Sequence, residues 1–253
     1  MTIGFEKDGL RLALAESEAD IRDALALRYD VFVAELGGAG AGVDHAARLE
    51  SDPFDAHADH LILREMETGA AVGVYRVLRG DQAARAGGYY CDSEYDLGPL
   101  KSSGRTLLEL GRSCVHPDYR GGVAMFHLWT GLARYVALHG SEILFGVASL
   151  KGADPDRLAG PLSLLHHRYR APAELRARSR VYQPMDLIPE ARLDRRAAMV
   201  EMPALIKSYL RLGGMVGDGA FVDHAFNCTD VCMIMDTRAL NQRAVRLYQP
   251  AAE

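Results

Sequence analysis

The chain has 253 residues, 49% of them hydrophobic and 25% charged, with a formal net charge of −5. That composition excludes a disordered chain, and the length supports a full core, read here as a single domain with a C-terminal part over about residues 155–253. The acidic balance removes the electrostatic footprint of a general nucleic-acid binder and leaves any anionic partner to be met by a local patch.

Four cysteines, at 91, 114, 228 and 232, form neither a CxxC pair nor a disulfide ladder, which predicts a reducing, cytoplasmic setting. The N-terminal MTIGFEKDGLRLAL carries charges among its first ten residues and predicts no signal peptide. No run approaches the roughly 18 apolar residues of a membrane span.

Ser17-Glu18-Ala19-Asp20 reads as a helix N-cap with an acidic first turn. Ile21, Leu25 and Phe32 recur on one face of a helix to about residue 36, with Arg28 in the middle of that face. The glycine-rich stretch 37–42 ends the helix in a flexible loop leading to Asp52-Pro53-Phe54-Asp55. Residues 60–64 and 71–77 predict a hairpin around Glu67-Thr68-Gly69, and 79–105 read as irregular. A strand from Leu107 follows, then a glycine-containing turn. Met125, Leu128, Trp129, Leu132 and Val136 then follow helical spacing between 121 and 139, and 143–148 has the look of a central strand. Further helices are predicted at 161–168 and 203–212, with a late strand at 230–235. This order implies a mixed α/β sheet covered by helices.

The strand LLELGRSCV carries two charges, Glu109 and Arg112, which cost several kcal/mol in a buried strand unless paired. Regular alternation puts them on opposite faces. A β-bulge at Gly111 would add one residue of phase, bring them to one face and expose backbone N–H groups that suit an oxyanion. The competing reading is a structural ion pair of Glu109 with Arg28, Arg76 or Arg112. Downstream, Tyr119-Arg120-Gly121-Gly122 precedes a helix, where backbone N–H groups and the positive helix end can approach a phosphate. Residues 55–60, His166-His167, and Asp223-His224 with Cys228 and Cys232 lack the spacing of known zinc or two-histidine-carboxylate sites, so no metal is expected. Cys114 reads as a small core residue rather than a nucleophile. Leu205, Tyr209 and Leu212 share one helix face, which suits either a bilayer surface or a core.

The strand, Arg-Gly-Gly turn and helix resemble the acyl-CoA-binding motif of the GNAT acyltransferase superfamily, in a form whose two glycine positions fall on Val123 and Met125. Longer segments make the likeness narrower: GRSCVHPDYR at 111–120, FGVAS at 145–149, PLSLLHH at 161–167, PALIKSYLRLG at 203–213 and GDGAFVDH at 217–224. Together they resemble the ornithine Nα-acyltransferases of bacterial ornithine-lipid synthesis, from about Arg28 to about Asp236. A more distant likeness to acyl-homoserine-lactone synthases lies in the order of Arg28, Phe32, Asp52, Asp55, Arg76, Glu109 and Arg112.

The resemblance implies a GNAT-like fold, a mixed and mostly antiparallel sheet flanked by helices. It implies an enzyme that moves a 3-hydroxyacyl chain from acyl carrier protein to the α-amine of L-ornithine, with the donor carried on phosphopantetheine and no tightly bound cofactor. Glu109 is then the base, and Val115 a backbone donor to the oxyanion. Arg120, Gly121 and Gly122 hold the phosphate of the donor arm. Arg28, Arg76 and Arg112 anchor the amino acid's carboxylate or lock the acidic residues, while Asp52 and Asp55 accept the substrate's ammonium groups or tether the loop. The alternatives are the same chemistry on another amino acid such as glutamine, acyl-homoserine-lactone synthesis, against which the 203–213 block counts, and a non-catalytic acyl-carrier-binding module. A lipid-like product implies a cytoplasmic protein weakly attached to the inner membrane.

Overall fold

The computed structural model describes residues 2–241 together with Arg243 and Tyr248. At the N-terminus β1 (Phe5–Lys7) and β2 (Leu10–Leu14) form a hairpin. Ser17 then caps α1 (Glu18–Arg28): its hydroxyl accepts the Asp20 N–H at 3.1 Å and the Asp20 carboxylate accepts the Ser17 N–H at 3.1 Å. The helix widens into a π-helical stretch over Tyr29–Glu35, so helical structure reaches the expected end. Its buried face is shifted from the expected one. Ala24, Leu27 and Val31 pack on Ile62, Val74 and Cys114, Phe32 packs against the same cluster from a half-buried position, and Ile21 and Leu25 are half-buried. Arg28, expected in the middle of the apolar face, is turned inward and meets Glu50 and Asp55.

The glycine-rich loop is tied down by a two-residue hairpin, β3 (Val43–Asp44) with β4 (Leu49–Glu50). Gly42 is required there, since a Cβ would stand 1.8 Å from the Ser51 carbonyl oxygen. The hairpin β5 (Asp59–Glu65) and β6 (Ala71–Arg79) forms as expected, in register from Asp59 opposite Val77 to Leu63 opposite Gly73, with a register shift before Arg64 opposite Ala71. Residues 79–105 are more ordered than their sequence suggests. They hold α2 (Gly80–Ala86), a 3-10 turn at Tyr90–Ser93, β7 (Tyr95–Asp96) and α3 (Gly98–Ser102), all too short to leave a hydrophobic period. The remaining elements are β8 (Leu107–Val115), α4 (Ala124–His139), β9 (Ile143–Lys151), α5 (Ala159–Tyr169), β10 (Arg178–Ser179), α6 (Arg195–Glu201), α7 (Ala204–Arg211), β11 (Met215–Val216), β12 (Phe221–Asp223) and β13 (Cys228–Asp236).

The chain divides into two compact units. In the first, residues up to Gly87 with Leu110–Gly140, the strand order is β1-β2-β5-β6-β8, with antiparallel pairing through the two hairpins and between β2 and β5. In the second, Gly88–Glu109 with Ser141–Val245, the order is β8-β9-β13-β11, and β12 also pairs with β13. Here β9 and β13 are antiparallel from Ile143 opposite Asp236 to Lys151 opposite Cys228. The parallel register of β8 with β9 covers Leu107–Glu109. Helix α7 buries Ile206 and Tyr209, and Leu212 beyond its end is buried too, so its apolar face covers a core. Among the described residues no helix is long and apolar enough to cross a membrane.

Gly42→Ala is expected to destabilise the fold by about 1–3 kcal/mol, because the clash is with backbone and cannot relax through a rotamer. Urea denaturation checks this, and an unchanged midpoint would contradict the packing at Ser51.

Candidate active site

Five of the expected site residues, Arg28, Asp52, Asp55, Arg76 and Arg112, meet with Glu50 in the first unit as a closed ring of alternating charge. Arg28, at the end of α1, donates from Nε to Glu50 Oε2 at 2.6 Å and from Nη1 to Asp55 Oδ1 at 2.6 Å. Arg76, on β6, reaches Asp55 Oδ1 at 2.8 Å and Asp52 Oδ1 at 2.5 Å. Arg112, on β8, closes the circuit, with Nη2 2.9 Å from Asp52 Oδ2 in ion-pair contact and Nε donating to Glu50 Oε1 at 3.2 Å. Three cations and three anions are thus joined by six contacts, and Arg28 is fully buried.

The electrostatics follow from that arrangement. Burial alone would raise the Asp55 carboxyl, but Arg28 and Arg76 outweigh it and hold the group well below the ordinary carboxylate range. Burial likewise disfavours the charged Arg28, and Glu50 and Asp55 more than compensate. Beside them His60 is buried and pushed below its ordinary value by desolvation, against the pull of Asp55, so its ring sits in the network uncharged at neutral pH. Within β8 the backbone turns left-handed at Arg112, whose φ is 48°. Glu50 was not among the expected residues. The signal was a charge count: three arginines against Asp52 and Asp55 leave one cation unmatched.

In the second unit, Glu109 is 4% exposed, and both of its carboxylate oxygens accept backbone N–H groups from one 3-10 turn. Tyr90 N–H donates to Oε2 at 2.9 Å and Cys91 N–H to Oε1 at 2.7 Å. Such charge-assisted bonds fix the carboxylate plane and favour its ionised form. Burial raises the Cys91 thiol well above its ordinary value, and the Glu109 charge raises it further. Glu94 and Asp230, also buried, act on Tyr95 in the same sense after burial and Cys232, holding that phenol protonated.

The Arg120 loop lies in the first unit. Gly121 has φ 76°, and both it and Gly122 are exposed ahead of α4. Arg120 grips Glu35 through Nη1 and Nη2 at 2.6 Å each, and its Nε donates to the Val115 carbonyl at 3.0 Å. The Glu35 hydrogen bond raises the guanidinium pKa. The loop borders a groove of about 510 Å³ that Asp8, Glu65, Glu67 and Asp118 also line. Sequence reasoning missed Glu35, which sits in the π-helical stretch 85 residues away and leaves no local pattern.

Cys114 is buried and pushed up to about 12 by desolvation, so it is a protonated core thiol at neutral pH. His167 Nε2 lies 2.9 Å from the Ile188 carbonyl oxygen and His166 Nε2 lies 3.2 Å from Arg170. Among the described residues, Asp223, Cys228 and Asp230 bring three potential ligand atoms within 4.8 Å of one another. Burial holds the Cys228 thiol protonated, and Asp223 Oδ1 already accepts the N–H groups of Ala225 and Phe226.

Residues 27–130 match the model of the acetyltransferase (GNAT) domain. The L-ornithine Nα-acyltransferase of Rhodobacter capsulatus is 55% identical over 247 residues, spanning 96% of this chain and 95% of that protein. The enzyme of the same name from Brucella abortus is 40% identical over 248 residues, spanning 94% and 88%. Among solved structures, an N-acyl amino acid synthase from uncultured soil microbes has a TM-score of 0.55 at 13% identity and spans 91% of this chain and 93% of its own. An acyl-homoserine-lactone synthase has a TM-score of 0.52 at 15% identity and spans 96% and 98%. At these identities the likeness is one of fold.

A buried, protonated Cys114 should resist iodoacetamide in the native protein at neutral pH and react once urea is added. Peptide mass mapping checks this, and rapid native alkylation at that position would reopen a nucleophilic role.

Proposed function

The chain belongs to the L-ornithine Nα-acyltransferase family, and from that premise we propose that it moves a 3-hydroxyacyl chain from acyl carrier protein to the α-amine of L-ornithine. Glu109 takes a proton from the α-ammonium, directly or through water. The neutral amine then attacks the thioester carbonyl, the N–C bond forms, the C–S bond breaks, and the pantetheine thiol leaves with a proton. The Val115 N–H stabilises the oxyanion of the tetrahedral intermediate in this reading.

The observation that carries the chemistry is the Glu109 carboxylate itself, buried and fixed in orientation by the N–H groups of Tyr90 and Cys91. A proton acceptor held in one geometry needs no reorganisation as the amine approaches. The ring supports the site rather than the substrate: its charges answer one another and pin the loop carrying Asp52 and Asp55 to α1, β6 and β8.

Carrier protein as donor is supported by the loop that follows β8. The two glycine positions of the coenzyme A motif are Val123 and Met125, Val123 is exposed, and four carboxylates border the adjoining groove, which disfavours a nucleotide polyphosphate. Arg120, with the N–H groups of Gly121 and Gly122, takes the single phosphate of the carrier's arm by exchanging Glu35 for it. An acylated amino acid partitions into lipid, so this reading places the enzyme weakly attached at the cytoplasmic face of the inner membrane.

The purified protein, given 3-hydroxyacyl carrier protein and a panel of amino acids, should yield the mass of Nα-(3-hydroxyacyl)ornithine. Glu109→Gln should lower kcat by about 10²-fold or more, and Arg120→Ala should mainly raise the KM for the donor. Preference for glutamine, equal use of the matching acyl-CoA, or an unchanged kcat for Glu109→Gln would each contradict the corresponding part.

A further inference from the structure

The chain is acidic overall, yet residues 168–180 hold five arginines and one glutamate. Arg168 pairs with Glu190 at 3.4 Å and Arg178 with Asp218 at 2.7 Å. The other three are engaged only with neutral groups among the described residues. Arg170 Nη1 meets His166 Nε2 at 3.2 Å, Arg176 Nε donates to the Ala171 carbonyl at 2.7 Å, and Arg180 Nε donates to the Asp92 carbonyl at 2.7 Å. His166 is held below its ordinary pKa by burial and then by Arg170, so it supplies no counter-charge. Three guanidinium groups without a carboxylate partner, two of them exposed, point to an anion from outside the chain.

Their placement says which anion. Arg170 and Arg178 bridge to Val216 and Asp218, two residues apart on one extended segment, so the arginines form a strip. β10 pairs with β7, the Arg180 N–H donates to the Glu94 carbonyl at 2.8 Å, and Arg180 Nε caps the 3-10 turn whose N–H groups hold Glu109. The strip therefore abuts the turn that positions the proposed base, within one unit. It runs on into Val181, 68% exposed, and Tyr182, whose ring lies 4.3 Å under the Arg178 guanidinium. Arginine and tyrosine around a small apolar centre is the composition of a protein interface. A bilayer anchor needs a broader apolar face, and the strongly amphipathic helix that offered one, α7, turns it inward.

We propose that the strip formed by Arg170, Arg176, Arg178 and Arg180, with Val181 and Tyr182, is the docking surface for the acidic face of the acyl carrier protein. The proposal rests on the carrier-dependent reading above and adds where the carrier sits. Charge complementarity of this kind acts on encounter and on salt dependence more than on the chemical step.

The test compares wild type with Arg170→Glu, which lies away from the Glu109 turn, and Arg178→Gln. Each is given 3-hydroxyacyl carrier protein and, separately, the same acyl group as a pantetheine thioester without carrier. The expected result is a KM for the carrier-borne donor raised at least tenfold in Arg170→Glu, a shallower salt dependence of that KM in both variants, and unchanged kinetics with the pantetheine thioester and with ornithine. Equal KM values for the carrier in variant and wild type would overturn the proposal, as would a rise in the KM for ornithine instead. Loss of sedimentation with phosphatidylglycerol vesicles while carrier use stays intact would assign the strip to lipid and overturn it too. If wild type acylates no ornithine at all, the carrier-dependent reading fails by itself, and fluorescence anisotropy of labelled holo-carrier still reads docking: binding weakened by Arg170→Glu supports the strip, and binding unaffected removes it.

Discussion

The structure of the first unit depends on one electrostatic constraint: three guanidinium groups and three carboxylates, drawn from segments between residues 28 and 112, must be buried together or not at all. A single such charge left unpaired in a low-dielectric interior is costly, whereas an alternating ring gives each ion two opposite neighbours. Several local features follow. The face of α1 that carries Arg28 turns inward, and the turn holding Asp52 and Asp55 is anchored from three directions. Arg112 accepts a left-handed backbone conformation, at a cost of order 1–3 kcal/mol, where its side chain reaches Glu50 and Asp52.

β8 carries two differently held charges. Within three residues the strand passes from Arg112, committed to the ring, to Glu109, whose carboxylate is held by a different device, two backbone N–H groups of a 3-10 turn. Side-chain cations shift a carboxylate strongly toward its anion, as at Asp55. Backbone donors fix the orientation of Glu109 with partial charges alone.

Much of this was legible in the sequence. Two charges inside an otherwise apolar strand marked Glu109 and Arg112, and helical spacing marked α4, because long periodic segments and buried charges are strong signals. The order of Arg28, Asp52, Asp55, Arg76 and Arg112 entered through a family likeness, and their joining into one ring was not readable from that order. Glu50 sits in a short hairpin without periodicity, and Glu35 finds Arg120 only because a π-helical stretch carries it there. The 3-10 turn at Tyr90–Ser93 acts through backbone N–H groups, which every residue but proline possesses, so no residue type announces it. The arginine strip is the opposite case, visible as a local inversion of charge but silent about position until β10 pairs with β7.

A double-mutant cycle on Arg28 and Asp55, read by chemical denaturation, tests the ring most directly. Each single replacement, Arg28→Met and Asp55→Asn, leaves a buried partner uncompensated and should cost about 3–5 kcal/mol. The double variant should then lose less than the sum of the two, by about 1–3 kcal/mol. Strictly additive losses would mean that the two charges do not answer each other, and the ring would no longer explain how the first unit is held.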